Sequence, residues 1–300
     1  MRQGLGRVTG AGLRLHGLLA MFLALALPVL ADDPIEEELV FVSGDTRLAG
    51  TLVRPRERQP FAAVVFVHGS GPQHRGLELA RRFSSAGIAA FVYDKRGVGA
   101  SGGRYEGKQA VSGPNIDLLA QDAAAALDAI AKIPLLHSVP LGLAGISQAG
   151  WIVPLAAGKN RIAQFLVLWS GPVCRVSEED IYSNYTGDLD GDSVPSFAEA
   201  LRSRTSPYVW PDFLGIDSDP ITSLSDLSIP GLWIFGAQDG SIPVDLSIDR
   251  LQRLINQGFA YEYILVPGVG HNSISETFEE VRGWMERRFQ GNSSSSKSLL

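Results

Sequence analysis

The chain has 300 residues, a net charge of −6, and a single cysteine, Cys174. That length supports a sizeable core without disulfide or metal staples, and 45% hydrophobic with 19% charged residues excludes collagen-like, coiled-coil and wholly disordered proteins. The acidic balance argues against a general nucleic-acid binder, and one cysteine rules out an intramolecular disulfide and the multi-ligand Cys/His zinc patterns.

At the N-terminus, Arg2, Arg7 and Arg14 precede an apolar run from Leu18 to Leu30, with Val29 and Ala31 just before Asp32-Asp33. A basic stretch, a short apolar stretch and small residues at the −3 and −1 places make residues 1–31 a predicted secretory signal peptide. The run is about 13 residues, short of the roughly 20 that span a bilayer, so an uncleaved anchor is the lesser alternative. No cysteine follows the cleavage point to carry a lipid. Removal of three arginines leaves a net charge of −9. The expectation is an exported protein, periplasmic or extracellular, with no stable membrane insertion after cleavage. The lone Cys174 is expected to be buried and inert.

From residue 37 the sequence alternates strand-like and helix-like segments. Leu39–Val42 and Leu48–Arg54 read as an opening hairpin around Ser43-Gly-Asp45. Ala62–Val67 and Ile88–Tyr93 are continuous apolar runs, as strands buried on both faces require. Leu77–Ala86 between them is helical, stopped by Gly87. The Ala-rich segment Asp117–Lys132 is the next helix and ends before Pro134. Then come strand Leu141–Gly145, helix Ala149–Ala157 and strand Phe165–Trp169. Leu232–Phe235 and Tyr261–Val266 are the last strands, each followed by a helix, Val244–Gln257 and Ser275–Arg288. Such alternation predicts an α/β fold, one mostly parallel sheet with helices on both faces. The residues between, about 172–229, contain no buried strand and many turn formers. A connection that long is expected to be an inserted cap. Its acids, from Glu178 to Asp192 and Asp212 to Asp226, read as a solvated face. Residues 291–300 are a Ser-rich tail expected to be disordered. Asn184 and Asn292 sit in glycosylation sequons, short enough to arise by chance.

Chemistry concentrates in Gly145-Ile-Ser147-Gln-Ala149-Gly150, between a strand and a helix. A serine on such a sharp turn has its hydroxyl exposed, and the residues two before and two after it must be small. Ala149 stands where this pattern usually has glycine. A serine nucleophile needs an imidazole base, and the imidazole needs a carboxylate that fixes its tautomer. His16 leaves with the signal segment, and His137 precedes the strand that leads to Ser147, at the opposite sheet edge. His68 and His74 lie in the loop after Ala62–Val67. His271 follows the last strand and shares the edge of Ser147, so it is the candidate base. Asp239, just past Leu232–Phe235, is the candidate acid. Asp245 and Asp249 fall on the following helix, and Ser170-Gly171-Pro172 offers no carboxylate. A tetrahedral intermediate needs backbone donors for its oxyanion. Gln148 supplies one, and Gly69 or Ser70 of His68-Gly69-Ser70-Gly71 the other, with glycine permitting close approach. His68 then shapes the loop.

The His-Gly-Ser-Gly loop, the Ser147 turn, Asp239 and His271, in the order Ser…Asp…His, resemble the α/β-hydrolase superfamily over about residues 35–290. The esterase and prolyl-oligopeptidase-like branch is the part it resembles, because Tyr93-Asp-Lys-Arg-Gly-Val-Gly-Ala-Ser101-Gly is similar to a loop found there. The resemblance gives Asp94 and Arg96 structural roles near the site. It implies a secreted serine hydrolase acting on a small carboxylic ester through an acyl-enzyme, without a metal or organic cofactor. A small serine exopeptidase or a thioesterase of the same fold is the near alternative, although export disfavours coenzyme A thioesters. A non-catalytic ligand-binding protein is the alternative from another class, but such proteins commonly lose a triad member or the oxyanion loop. Tyr182, Tyr185, Phe197, Tyr208, Trp210 and Phe213 of the insert are expected to line the substrate pocket or to form the insert's own small core.

Overall fold

The computed structural model describes residues 33–107, 111–204 and 216–290. The predicted signal segment, the Ser-rich tail, and Tyr208, Trp210 and Phe213 lie outside the described residues.

Strands β1 (Ile35–Ser43) and β2 (Thr46–Arg54) form an antiparallel hairpin closed by Gly44-Asp45, where Gly44 takes φ +57°. The left-handed φ suits a two-residue hairpin turn. β1 begins four residues before the predicted start. It lies at the sheet edge, where Glu36 and Glu38 face solvent on alternate positions. Polar residues there hide a strand from a reading based on apolar runs.

Then follow β3 (Ala62–Val67), α1 (Leu77–Ser85), β4 (Ile88–Tyr93), α2 (Gly113–Ala131), β5 (Leu141–Ile146), α3 (Ala149–Asn160) and β6 (Phe165–Trp169). After these come α4 (Val176–Thr186), α5 (Phe197–Ser203), α6 (Pro220–Leu224), β7 (Gly231–Gly236), α7 (Val244–Asn256), β8 (Tyr261–Val266) and α8 (Ile274–Phe289). Helix α2 starts four residues before the predicted Asp117. Ser112 accepts the Asn115 N–H as its cap, and Pro114 sits in the first turn. Proline is tolerated there because that N–H has no helical partner.

The eight strands run in the order β1-β2-β4-β3-β5-β6-β7-β8. All pairs from β4 to β8 are parallel, and β1 and β2 join antiparallel at one edge. Side chains alternate across the sheet, as the strand period of two demands. On β3, Ala63, Val65 and Val67 pack with residues of α2, α3 and α7. Ala62, Val64 and Phe66 pack on the other face with Ala80 and Phe83 of α1 and Phe278, Val281 and Trp284 of α8. Between β6 and β7 the described residues of the insert form α4, α5 and α6. Loops that follow β3, β5, β7 and β8 all leave from the carboxyl edge of the parallel strands, where open α/β sheets bind ligands.

Candidate active site

Ser147 follows β5 with φ +57°, a left-handed conformation that costs a serine free energy unless its surroundings enforce it. The enforcement is visible. The Ser147 N–H donates to the Trp169 carbonyl at 3.0 Å, and its carbonyl accepts the Gly150 N–H at 2.8 Å as α3 begins. A Cβ at Gly145 would overlap that of Ala149 and lie 2.8 Å from the Val67 carbonyl oxygen. Glycine at 145 is what makes room for alanine at 149.

Asp239 follows β7 and is fully buried; His271 follows β8. The imidazole Nδ1 lies 2.9 and 3.0 Å from the two Asp239 carboxylate oxygens. Burial lowers the basicity of His271. The Asp239 bond and the charges of Asp239, Asp190 and Asp188 outweigh it, and the net pKa is raised. One Asp239 oxygen also accepts the N–H groups of Ser241 and Ile242, which fixes the carboxylate as well as the ring. Ser147 and His271 open on one cavity of 400 Å³ with Gly69, Ser70, Gln73, Glu179, Asp188 and Asn272. Among the described residues, no hydrogen bond joins the Ser147 hydroxyl to the imidazole. In unliganded sites that bond is often long and tightens only with substrate bound.

The loop of the candidate oxyanion donors lies against Ser147. A Cβ at Gly69 would stand 3.3 Å from the Ser147 Cβ and from the Ile146 carbonyl oxygen. Sequence leaves open whether Gly69 or Ser70 donates, and the geometry favours Ser70. The Gly69 carbonyl accepts the buried Lys95 ammonium at 2.8 Å, so across the trans peptide the Ser70 N–H faces the other way. That N–H has no partner among the described residues, and Ser70 lines the cavity. His68 packs its ring edge-on against Tyr93, and burial with the Lys95 charge pushes its pKa down to about 4. A neutral, buried His68 fits the loop-shaping role.

Asp94 and Arg96 are both tied into the surrounding fold. Burial opposes the Asp94 charge, but bonds from the Arg75 guanidinium and the N–H groups of Arg75 and Ala100 hold its pKa down to about 2. Arg96 is buried in an ion pair with Asp122 on α2. Cys174 is buried, and that burial pushes the thiol pKa up, in line with an inert group.

Of the insert's aromatics, Tyr182, Tyr185 and Phe197 lie among the described residues. Tyr182 is buried on α4, and its hydroxyl donates to the carbonyls of Asp239 at 3.3 Å and Pro195 at 3.2 Å. Tyr185, one turn on, is exposed beside Leu189 and Gly191 in a separate depression. Neither borders the cavity of Ser147, because α4 turns its Glu179 and Ser183 positions toward that cavity. Phe197 begins α5, with its N–H held by Asp245.

Four contributors escape a reading by motif. Asp190 of the insert accepts the His271 N–H and the Gly240 N–H, each at 3.0 Å. Ser170, at the end of β6, donates its hydroxyl to the His271 carbonyl at 2.9 Å. Glu179 lines the cavity; burial and the charges of Asp188, Asp180 and Asp239 push its pKa up to about 8. Lys95, 2% exposed, bridges the Gly69 carbonyl and the Gln148 side chain. The acids between Glu178 and Asp192 are therefore partly site components, where sequence alone suggests a solvated face. Among the described residues no group of three or more His, Cys, Asp or Glu side chains is placed to hold a metal ion. No described helix is long and apolar enough to cross a membrane.

Residues 58–211 match the model of the serine aminopeptidase, S33, family. No curated protein matches the chain by sequence. Among solved structures, the esterase Pf2001 of Pyrococcus furiosus superposes with a TM-score of 0.63 at 17% identity, covering 85% of this chain and 91% of that one. Est1E of Butyrivibrio proteoclasticus, solved with ferulic acid bound, gives 0.57 at 17% identity, covering 83% and 98%. The acylaminoacyl peptidase of Pyrococcus horikoshii gives 0.58 at 18% identity, with 81% of this chain lying on 38% of that one. These likenesses establish the α/β-hydrolase fold.

Proposed function

The chain belongs to the serine aminopeptidase, S33, family of α/β-hydrolases, and from that premise we propose that it is a serine hydrolase of small carboxylic esters. Ser147 attacks the ester carbonyl, His271 accepts its proton and returns it to the leaving alcohol, and Asp239 stabilises the imidazolium. Water, activated by His271, then releases the acyl group. The Ser70 and Gln148 N–H groups meet the oxyanion. The observation that carries this reading is the opening of Ser147 and an Asp239-fixed His271 on one cavity. At 400 Å³, with carboxylates and hydroxyls on its walls, that cavity suits a short acyl group.

The test is hydrolysis of p-nitrophenyl acetate, butyrate, octanoate and laurate by the purified protein, with Ser147→Ala beside it. Turnover greatest on the short esters and lost in the variant supports the reading; no turnover on any ester overturns it.

A small exopeptidase is the second reading, favoured by Glu179 and Asp188 in the cavity wall. Carboxylates there suit a protonated amine, and a bound ammonium would draw the Glu179 proton off. Aminoacyl p-nitroanilides cleaved faster than the esters, with a KM that rises in Glu179→Gln, would favour it.

The N-terminal pattern supports export as part of the same proposal. An intact mass beginning at Asp32 in a periplasmic or secreted fraction is the expected result; a mass that includes Met1 would remove it.

A further inference from the structure

Lys95 stands where a lysine is costly. Its side chain is buried beneath the oxyanion loop, and burial lowers its pKa to about 8, which leaves an ammonium at neutral pH. A buried ammonium persists only when its donors are used. Two of them go to the Gly69 carbonyl and to the Gln148 Oε1, each at 2.8 Å, and the Tyr105 ring stands 5.8 Å away. The Lys95 N–H also donates to the Gln73 carbonyl at 3.0 Å, and the Gln73 amide reaches back to the Ser70 carbonyl at 2.6 Å. So the element after β4 grips both halves of the candidate oxyanion hole, one after β3 and one after the nucleophile.

We propose that Lys95 is the positioning residue of the oxyanion hole: by holding the Gly69 carbonyl and the Gln148 side chain together, it aims the Ser70 and Gln148 amides at one point. The inference rests on the serine-hydrolase reading. Two physical effects follow from the geometry. A cation at the Gly69 carbonyl fixes the direction of the Gly69–Ser70 peptide, whose N–H is the donor. It also polarises that peptide, which makes the same N–H a stronger donor to developing negative charge. Gly69 has no side chain to anchor this peptide, and Ser70 is exposed, so the Lys95 and Gln73 bonds supply the order that the loop residues lack.

A purely structural lysine would affect stability and leave the chemical step alone. A positioning role predicts a loss confined to the transition state. Lys95→Met keeps much of the buried stem and removes the donors. On p-nitrophenyl acetate, kcat should fall about 10- to 100-fold with KM within about twofold, a little less than loss of a whole oxyanion donor. Inhibition by phenylboronic acid, whose tetrahedral adduct places an oxygen in the hole, should weaken by a similar factor. If Lys95→Met does not fold, Gln148→Met removes one arm of the grip, and a several-fold fall in kcat at unchanged KM is expected. Unchanged kcat in the folded variant, or an equal change in substrate and boronate affinity, overturns the proposal. Retained ester turnover in Lys95→Met together with its loss in Ser147→Ala overturns this inference and leaves the hydrolase reading standing. A wild-type protein that neither turns over esters nor is labelled by a fluorophosphonate removes both.

Discussion

The Asp190 carboxylate accepts the backbone N–H of His271 at 3.0 Å with one oxygen and that of Gly240 at 3.0 Å with the other. A residue of the insert thereby ties the loop of His271 to the loop that carries Asp239. Other bonds follow the same seam: Gly191 N–H to the Gln238 carbonyl, Gln238 amide to Asp192, and the Thr186 hydroxyl to the Gly240 carbonyl. The approach is so close that a Cβ at Gly240 or Gly270 would overlap Leu189 or Asp190. At this seam the insert is part of the framework of the His271–Asp239 pair. Asp190→Ala should lower kcat/KM by about 10- to 100-fold, because a displacement near 1 Å at the base is enough for that. It leaves two N–H groups without an acceptor and should also cost about 1–3 kcal/mol of stability. Kinetics with a urea melt in parallel separates the two effects; an active, equally stable variant would sink the assignment.

With His271 as the proposed base, the pH dependence of the reaction follows from its environment. A general base works only when neutral, and the net pKa of this imidazole is raised above the ordinary 6.5. The acid limb of kcat/KM should therefore have a midpoint above that value. Asp190→Asn removes one of the charges that raise it, so the midpoint should move down. Asp239→Asn removes the bond that fixes the tautomer and should cost about 10,000-fold in kcat. The sign for stability is opposite to that for activity. A histidine whose folded pKa is raised contributes stability that is fully present below about 6.5 and is lost as pH rises through the folded value. A rate profile whose midpoint falls below 6.5 would contradict the geometry.

Ser147, Asp239 and the His-Gly-Ser-Gly loop are legible in sequence because each follows a buried apolar strand. His271 follows the partly exposed edge strand β8, and chain order places all of these loops at one edge. The buried runs of β3, β4 and β6 are legible for the same reason, since both faces are apolar. β1 is legible only from Leu39 onward, because Glu36 and Glu38 point to solvent on an edge strand. Asp190 and Glu179 are not legible: an acid that accepts backbone N–H groups has the same local pattern as one on a solvated face. Lys95 looks like loop punctuation between Asp94 and Arg96, and its partners lie 26 and 53 residues away. Sequence shows the ring of Tyr182 and leaves pocket and core open, whereas its position shows a buried residue with the hydroxyl spent on the Asp239 carbonyl.

Arg96 and Asp122 test the scaffold apart from the chemistry. The guanidinium is 8% exposed and the carboxylate 0%, and Arg96 also reaches the Thr46 hydroxyl on β2 at 2.6 Å. Burial pushes the Asp122 pKa up, against the bonds from Arg96 and Ser43. Arg96→Leu would strand that carboxylate in an apolar layer and should cost about 3–5 kcal/mol. Replacing both members, with Asp122→Leu added, should recover a large part of that loss. Chemical denaturation of the three proteins measures it, and single and double variants of equal stability would argue against a net role for the pair.

The Ser147 turn makes a prediction that depends on a single methyl group. Ala149 is buried, and the space its Cβ occupies is the space a Cβ at Gly145 would need. Gly145→Ala should therefore distort the turn. It should destabilise the protein by about 1–3 kcal/mol through overpacking and abolish most ester turnover, because Ser147 sits in a conformation held only by its neighbours. Ala149→Gly in the same chain removes the side-chain overlap, but the new methyl still stands 2.8 Å from the Val67 carbonyl oxygen on β3. The double variant is thus expected to recover stability in part and activity less, since β3 also carries the oxyanion loop. Full recovery of both would mean that the Val67 approach yields freely. In that case the pairing of glycine at 145 with alanine at 149 would alone account for the departure from the usual pattern.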